Sequence, residues 1–453
     1  MNKKENKISK EIRINKKSAR KNYSNQTGIT LIALVVTIVV LLILAGVSLN
    51  AIFSENGIIK RAQDAQNKMD QAAENDQKGT NELSNWLDSK INGNSGGNTT
   101  GGNTTGGDDN PTTTTTKIST LVGKVVDKNT KAEDIYGNKI TIPKGFKVVA
   151  HGTAAGSATY TYSGDNIPAV QDGIVIENGT DGNQFVWVPV GTIKNKNNTT
   201  NTITLGRYEF ESRTGELKST TPAQVASVEN YKKIVTISGN EANYQELSTA
   251  REGNSAEDST AQNATARNLS EFISTTLANG GYYIARFEAS GTASKITSKY
   301  NQTVLVDITQ PNAAKAAREM YGEVKENNEL VYASDLVNSY AWDTAIIFIQ
   351  TYSTGENASS YASKNKGPSD GQCNTGISND KYCNIWDMSG NALEWTTEYS
   401  TSSSDSYFYP CVYRGGYYHI GRGIPQRYTS YRANHHTTHS NSFDGLRPLL
   451  YVK

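Results

Sequence analysis

The sequence predicts an α+β protein in which a long apolar N-terminal helix and a flexible linker precede a β-rich head. Three features lead there: an apolar run from Ile29 to Val47, a Gly/Asn/Thr tract from Asn92 to Thr116, and, beyond it, short β-branched and aromatic segments punctuated by Gly, Pro and Asn. At 453 residues the chain has room for two or three domains and a full hydrophobic core. A net charge of +1 supplies no global field toward nucleic acid, so no nucleic-acid partner is expected.

Residues 1–28 form a basic leader, with nine Lys and Arg from Lys3 to Lys21 against Glu5 and Glu11. As a helix the apolar run that follows reaches roughly 28 Å, nearly a bilayer core. Positive charge ahead of it predicts a single-pass protein with the N-terminus inside and the head outside the cell. A cleaved secretory signal would have a shorter apolar region with small residues after it; a plain membrane anchor is a second reading. The third rests on Gly28 followed by Ile29-Thr30-Leu31-Ile32, which resembles the cleavage and methylation signal of type IV prepilins. That resemblance implies cleavage between Gly28 and Ile29 by a prepilin peptidase, with pilus subunits as neighbours. The family usually carries Glu at the fifth mature position, and here Ala33 stands there. Without that carboxylate no buried charge pair sets an assembly register, which points to a minor or tip pilin, or to a pilin-like protein that stays in the membrane. Ile58, Ile59, Ala62, Ala65, Met69, Ala72 and Ala73 extend the helical period, and Leu83, Trp86, Leu87 and Ile91 mark another amphipathic segment. Residues 29–91 are therefore read as anchor and solvated stalk.

Residues 92–117 cannot bury enough apolar area to offset their ordering entropy and are read as a tether. Residues 118–165 read as a small β-rich lead-in, with turn chemistry at Tyr136-Gly137-Asn138 and Pro143-Lys144-Gly145. In the head, 166–453, Gly173–Ile176 and Gln184–Val190 flank a polar loop and predict a hairpin. Ala264–Leu277, Ala313–Tyr321 and Ser334–Thr351 read as helices, and Gly280–Glu288 as a strand.

Six segments then recur in a recognisable order: Gln184–Val190, Gly281–Glu288, the Trp342 helix, Trp386-Asp387-Met388-Ser389-Gly390-Asn391-Ala392-Leu393-Glu394-Trp395, Arg414-Gly415-Gly416 and Gly445-Leu446-Arg447-Pro448. Together, over roughly residues 170–453, they resemble the formylglycine-generating-enzyme/sulfatase-modifying domain, a variant of the C-type lectin fold. The residues themselves read as scaffold. Trp386 and Trp395 bury aromatic area around the Gly390-Asn391 turn. Arg414 and Arg447 are expected to pair with buried carboxylates such as Asp387 or Glu394, and Gly415-Gly416 to permit close backbone packing. Gly445 and Arg447 close the far side. The oxidases of that family hold copper(I) on two cysteines shortly after Arg-Gly-Gly-Ser. Here Tyr417 replaces the Ser and no cysteine follows Cys411, so no oxidase activity is expected and no cofactor is required. Cys373 and Cys383 precede the Asn391 turn; an exported protein favours a disulfide between them, leaving Cys411 free.

Between those clamps, Arg414 to Pro448 has an unusual composition. Four of the five histidines fall here, Lys, Glu, Met and Trp are absent, and Gln426 is the single Gln. These five types are the ones an asparagine codon cannot reach when only its adenines change. The segment thereby resembles the variable region of diversity-generating-retroelement proteins. The implied ligand-binding surface, within 417–444, comprises Tyr417, Tyr418, His419, Ile420, Arg422, Tyr428, Ser430, Tyr431, Asn434, His435, His436, Thr437, His439, Ser440, Asn441, Ser442, Phe443 and Asp444. Tyr offers rigid contact area, and Ser and Asn adaptable hydrogen bonds, suiting a protein or glycan target. Two alternatives stand beside this: a fixed-sequence minor pilin or adhesin, and a metal-dependent enzyme built on the histidines. His435 and His439 would share a helical face at i, i+4, but Thr437, Ser440 and Ser442 argue for a loop. Exposed loop histidines, with no metal, are expected, Asp444 being the one carboxylate near enough to support a ligand.

Overall fold

Three apolar strands with two-residue alternation organise the molecule. The computed structural model describes residues 115–149, 168–239, 242–247, 263–355, 358–364, 367–368, 371–404, 407–418 and 428–453. The expected leader, apolar helix and most of the tether, with Gly28, Ile29 and Ala33, lie outside the described residues, as does 150–167 of the lead-in. Among the described residues no helix is long and apolar enough to cross a membrane. They belong to one unit, Asn110–Lys453.

The strands that matter, in chain order, are Phe146–Val148 (β1), Val175–Asn178 (β2), Gln184–Pro189 (β3), Ile237–Ser238 (β4), Asn243–Glu246 (β5), Gly281–Ala285 (β6), Glu323–Glu326 (β7), Glu329–Leu336 (β8), Leu393–Ser400 (β9), Cys411–Arg414 (β10), Arg432–His435 (β11), Asp444–Leu446 (β12) and Pro448–Val452 (β13). The helices are Leu269–Asn279 (α1), Gln310–Glu319 (α2) and Ser339–Tyr352 (α3). A seven-stranded antiparallel sheet runs β7-β8-β13-β6-β3-β2-β1. A second sheet runs β4-β5-β9-β10-β11, with β12 parallel to β9. The class is α+β and strand-dominated, as expected, and the β2–β3 hairpin pairs Val175 with Val186.

Successive side chains of a strand face opposite sides, and β3, β6 and β13 carry apolar residues on both. Val186, Val188, Tyr282, Ile284, Leu449 and Tyr451 pack into a core with Phe272 and Ile273 of α1 and Tyr340, Ile346 and Ile349 of α3. Their neighbours Phe185, Trp187, Tyr283, Ala285, Leu450 and Val452 pack with Ile118, Ile140, Ile142, Phe146 and Val148. The described part of the lead-in, 118–149, is not a separate layer: it supplies β1 and covers one face of the main sheet.

Caps set the helix ends. Asn268 accepts a hydrogen bond from the Glu271 amide at 3.1 Å, so α1 begins at Leu269, and left-handed Gly280 (φ 74°) stops it. Asn338 accepts from the Ala341 amide at 2.9 Å and starts α3 at Ser339. The helix expected over 334–351 therefore begins later, because Ser334, Asp335 and Leu336 pair in β8 with Leu450, Leu449 and Pro448.

The expected Cys373–Cys383 disulfide is not formed; none of the three cysteines is in a disulfide. The loop between them folds each thiol onto a different neighbour. The Cys373 amide donates to Asn391 Oδ1 at 2.9 Å, while the Cys383 sulfur lies 3.1 Å from Ser353 Oγ at the end of α3. Burial pushes both thiols up to about 12.

Candidate functional site: the closing segment and its platform

The described parts of the closing segment, 414–418 and 428–448, adjoin two buried charge clusters. Pairing of β10 with β11 sets Arg414 opposite Arg432, and like charges at that spacing need anions beneath them. Glu398 and Asp343 supply them. Arg414 donates to Asp343 Oδ1 at 2.6 Å and Glu398 Oε2 at 3.3 Å; Arg432 donates to Asp343 Oδ2 at 2.5 Å and Glu398 Oε1 at 3.1 Å. Arg207 completes the cluster at 2.9 Å from Glu398 Oε1. All five side chains are buried. Burial alone would raise the Glu398 carboxyl, but Arg432, Arg414 and Arg207 outweigh it and hold it at about 2.

In the second cluster Arg447 grips Glu394 with two bonds, at 2.9 and 2.6 Å, and donates to the carbonyls of Ala285 and Trp386. The expectation that the two arginines pair with Asp387 or Glu394 holds for Arg447; Arg414 pairs instead with Asp343 and Glu398. Asp387 accepts from the Gly376 amide at 2.8 Å and from the Ser378 hydroxyl.

The Asp387–Trp395 motif holds both ends of the closing segment. Asn391, left-handed at φ 67°, donates to Glu288 Oε2 at 2.6 Å, and its carbonyl accepts the Tyr418 amide at 3.1 Å. Two residues on, the Leu393 amide donates to the Phe443 carbonyl at 2.8 Å, and β9 pairs Leu393, Glu394 and Trp395 with Asp444, Gly445 and Leu446. Buried Trp395 donates to the Ile308 carbonyl, whereas Trp386 is half-buried under Lys381. Gly415 has φ 79°, and a Cβ there would sit 2.9 Å from the Met388 carbonyl oxygen; its neighbours admit no side chain. Gly390, Gly416 and Gly445 are buried with it. Of the scaffold residues read from the sequence, all but Trp386 are buried.

The expected binding surface divides. Tyr417, Tyr418, His435, His436, His439, Asn441 and Phe443 are half-exposed, and Ser440 and Ser442 exposed. Tyr417 stacks on Phe443 with ring centres 4.6 Å apart. His419, Ile420 and Arg422 lie outside the described residues. Six residues are corrected to core. Tyr428, 6% exposed, hydrogen-bonds the Ser212 carbonyl and fills the space over Gly215. Ser430 donates to the Gly215 carbonyl at 2.9 Å. Tyr431, 5% exposed, packs with Leu393 and Ala433. Asn434 accepts from buried Tyr244 at 3.3 Å, and Thr437 and Asp444 are buried. The reason is topological: 428–434 threads back through the molecule, where Trp342 donates to the Thr429 carbonyl and the Ser430 amide to that of Ala362. Sequence reasoning missed Arg207, Asp343, Glu398 and Arg432. The alternation Arg432-Ala433-Asn434 against Cys411–Arg414 was the signal for Arg432; nothing local marks Arg207 or Asp343. It also missed half-exposed Tyr409 and Tyr413, which adjoin the surface; Thr438, within the expected run, is exposed.

The histidines do not form a helical face, yet they meet. The His439 amide donates to the His436 carbonyl at 3.1 Å, closing a turn that stacks the His439 ring on His435 with centres 3.3 Å apart.

Fold and site together define a strand-dominated α+β domain with a charge-locked platform under an aromatic and histidine-bearing loop surface. No family model and no curated protein matches the chain. Solved structures similar to it include variable protein 1 of Treponema denticola, at 11% identity, TM-score 0.27, covering 49% of this chain and 99% of that one. A structure titled CarF matches at 14% identity, TM-score 0.25, covering 38% of this chain and 87% of that one. Both scores fall well short of a shared whole-chain fold.

Proposed function

We propose that this protein binds a protein or glycan ligand non-covalently through Tyr417, Tyr418 and the His435–Phe443 turn, on a C-type-lectin-like head diversified by a retroelement. The observation that carries it is the contrast within one segment: accessible aromatics and small polar residues stand on a backbone pinned at Tyr418 and Phe443 to a buried motif. Side chains can change on such a surface without moving the fold, which is what diversification requires. The codon-restricted composition of 414–448 supports the same reading. On this reading the apolar run 29–47, processed at Gly28–Ile29, anchors the chain and the head works outside the cell. The chain has no catalytic role on this reading, because the cysteines of the oxidases it resembles have no counterpart after Cys411.

Two measurements test it. A near-copy of the codons for Arg414 to Arg447 beside a reverse-transcriptase gene, with asparagine codons at 417, 418 and the exposed turn positions, is expected; its absence would leave a fixed adhesin. For a target selected from a displayed protein or glycan library, the triple variant Y417A/Y418A/F443A should weaken binding at least about 100-fold, as loss of aromatic hot spots does. Unchanged affinity would refute the assigned surface.

A further inference from the structure

The three imidazoles of the turn form an arrangement that ligand binding through aromatics does not use. One ring nitrogen from each of His435, His436 and His439 lies within 4.8 Å of those of the other two. In a tetrahedral site with metal–nitrogen bonds of ~2.0–2.1 Å, ligand nitrogens sit roughly 3.3 Å apart. The triad is therefore open by at most about 1.5 Å, a distance that rotation of half-exposed rings can close. Each ring also has a polar neighbour. His439 Nε2 lies 3.0 Å from Asp444 Oδ2, and His436 Nδ1 lies 2.9 Å from Thr438 Oγ1. His435 Nδ1 accepts the adjacent His436 amide at 3.1 Å.

Asp444 is the independent sign. Its side chain is buried on β12, with His439 Nε2 3.0 Å from its carboxylate and Asp307 the other charged group near it. A metal-bound histidine commonly donates its second N–H to such a carboxylate, which fixes the tautomer and strengthens the ligand. Here that would keep the proton of His439 on Nε2 and leave the Nδ1 lone pair for an ion. Trp395, 6.3 Å from His439, and Tyr409, 5.4 Å from His435, wall the cluster on the protein side.

We infer that His435, His436 and His439, backed by Asp444, form a binding site for a divalent transition-metal ion that favours imidazole, such as Zn²⁺, Ni²⁺ or Cu²⁺. Three protein ligands leave a coordination position open toward solvent, for water or a donor atom of a bound partner.

The test is titration of the full-length, tag-free protein with Zn²⁺ and with Cu²⁺, followed by equilibrium dialysis and, for copper, electron paramagnetic resonance. One tightly bound ion per chain with multiple-nitrogen hyperfine structure is expected. H436A should weaken binding at least about 100-fold, and D444N by about 10–100-fold, the usual cost of losing such a carboxylate. S442A, at an exposed position outside the triad, should leave it unchanged. H436A alters a half-exposed side chain; should H439A disturb folding, H439Q keeps a side chain of similar size. Absence of a stoichiometric site in the wild type, or wild-type affinity in H436A and H439Q, overturns the assignment. Neither outcome bears on the aromatic surface, whose test uses no metal.

Discussion

Replacing Glu398 with Gln is expected to cost the head most of its stability. Glu398 is the shared anion of three buried arginines, Arg207, Arg414 and Arg432. Removing one partner of a buried ion pair typically costs about 3–5 kcal/mol, because the remaining charge is left without compensation. Here three guanidiniums would face Asp343 alone, so the upper end is expected, against a total stability of about 5–15 kcal/mol. Denaturant unfolding monitored by tryptophan fluorescence reads this directly; a loss below about 1 kcal/mol would show that the cluster contributes little net stability. The wild type also carries a pH signature. The folded Glu398 carboxyl sits at about 2 against an ordinary 4.5. An acid depressed in the folded state stabilises the fold above its unfolded value and loses that contribution as pH falls through the folded one. Roughly 3 kcal/mol should therefore disappear between about pH 4.5 and 2, a component absent from E398Q.

Removing residues 1–149 is expected to abolish folding of the head. Ile118, Ile140, Ile142, Phe146 and Val148 are fully buried against the outer face of the main sheet. Each such side chain contributes about 1.5–3 kcal/mol on burial, so the five together contribute on the order of 10 kcal/mol, comparable with the whole stability of a domain. Losing them also exposes Trp187, Tyr283 and Leu450, an apolar patch that invites aggregation. A chain beginning at Asn110 keeps the cover and should melt cooperatively. A soluble, cooperatively folding 150–453 fragment would show that the lead-in is dispensable.

Two central strands were legible in the sequence for a simple reason: β3 and β6 are buried on both faces, so they read as continuous apolar runs bounded by turn residues; β13, buried likewise, was not read as a strand. The Asp387–Trp395 motif was legible through its Gly and Asn, which mark the left-handed turn the chain makes there. What escaped was set by pairing at long range. Tyr431 and Tyr417 look alike in sequence, but only the β10–β11 register, with Tyr413 opposite Ala433, shows that 428–434 passes through the interior. The cysteine pairing failed similarly: ten residues of separation permit a disulfide, but Cys383 lies instead against Ser353 at the end of α3. The meeting of the three histidines depends on a turn that helical spacing could not anticipate.

The central claim is that a stiff platform holds selected side chains of its closing segment outward, free to vary. Its most direct measurement is parallel randomisation of two position sets, with folding read by protease resistance of displayed full-length protein. One library varies Tyr417, Tyr418, His436, Ser440, Asn441 and Ser442; the other varies Tyr428, Ser430, Tyr431, Asn434, Thr437 and Asp444. The first should yield mostly folded members and the second mostly unfolded ones. Equal tolerance in both, or collapse of the first, would contradict the account.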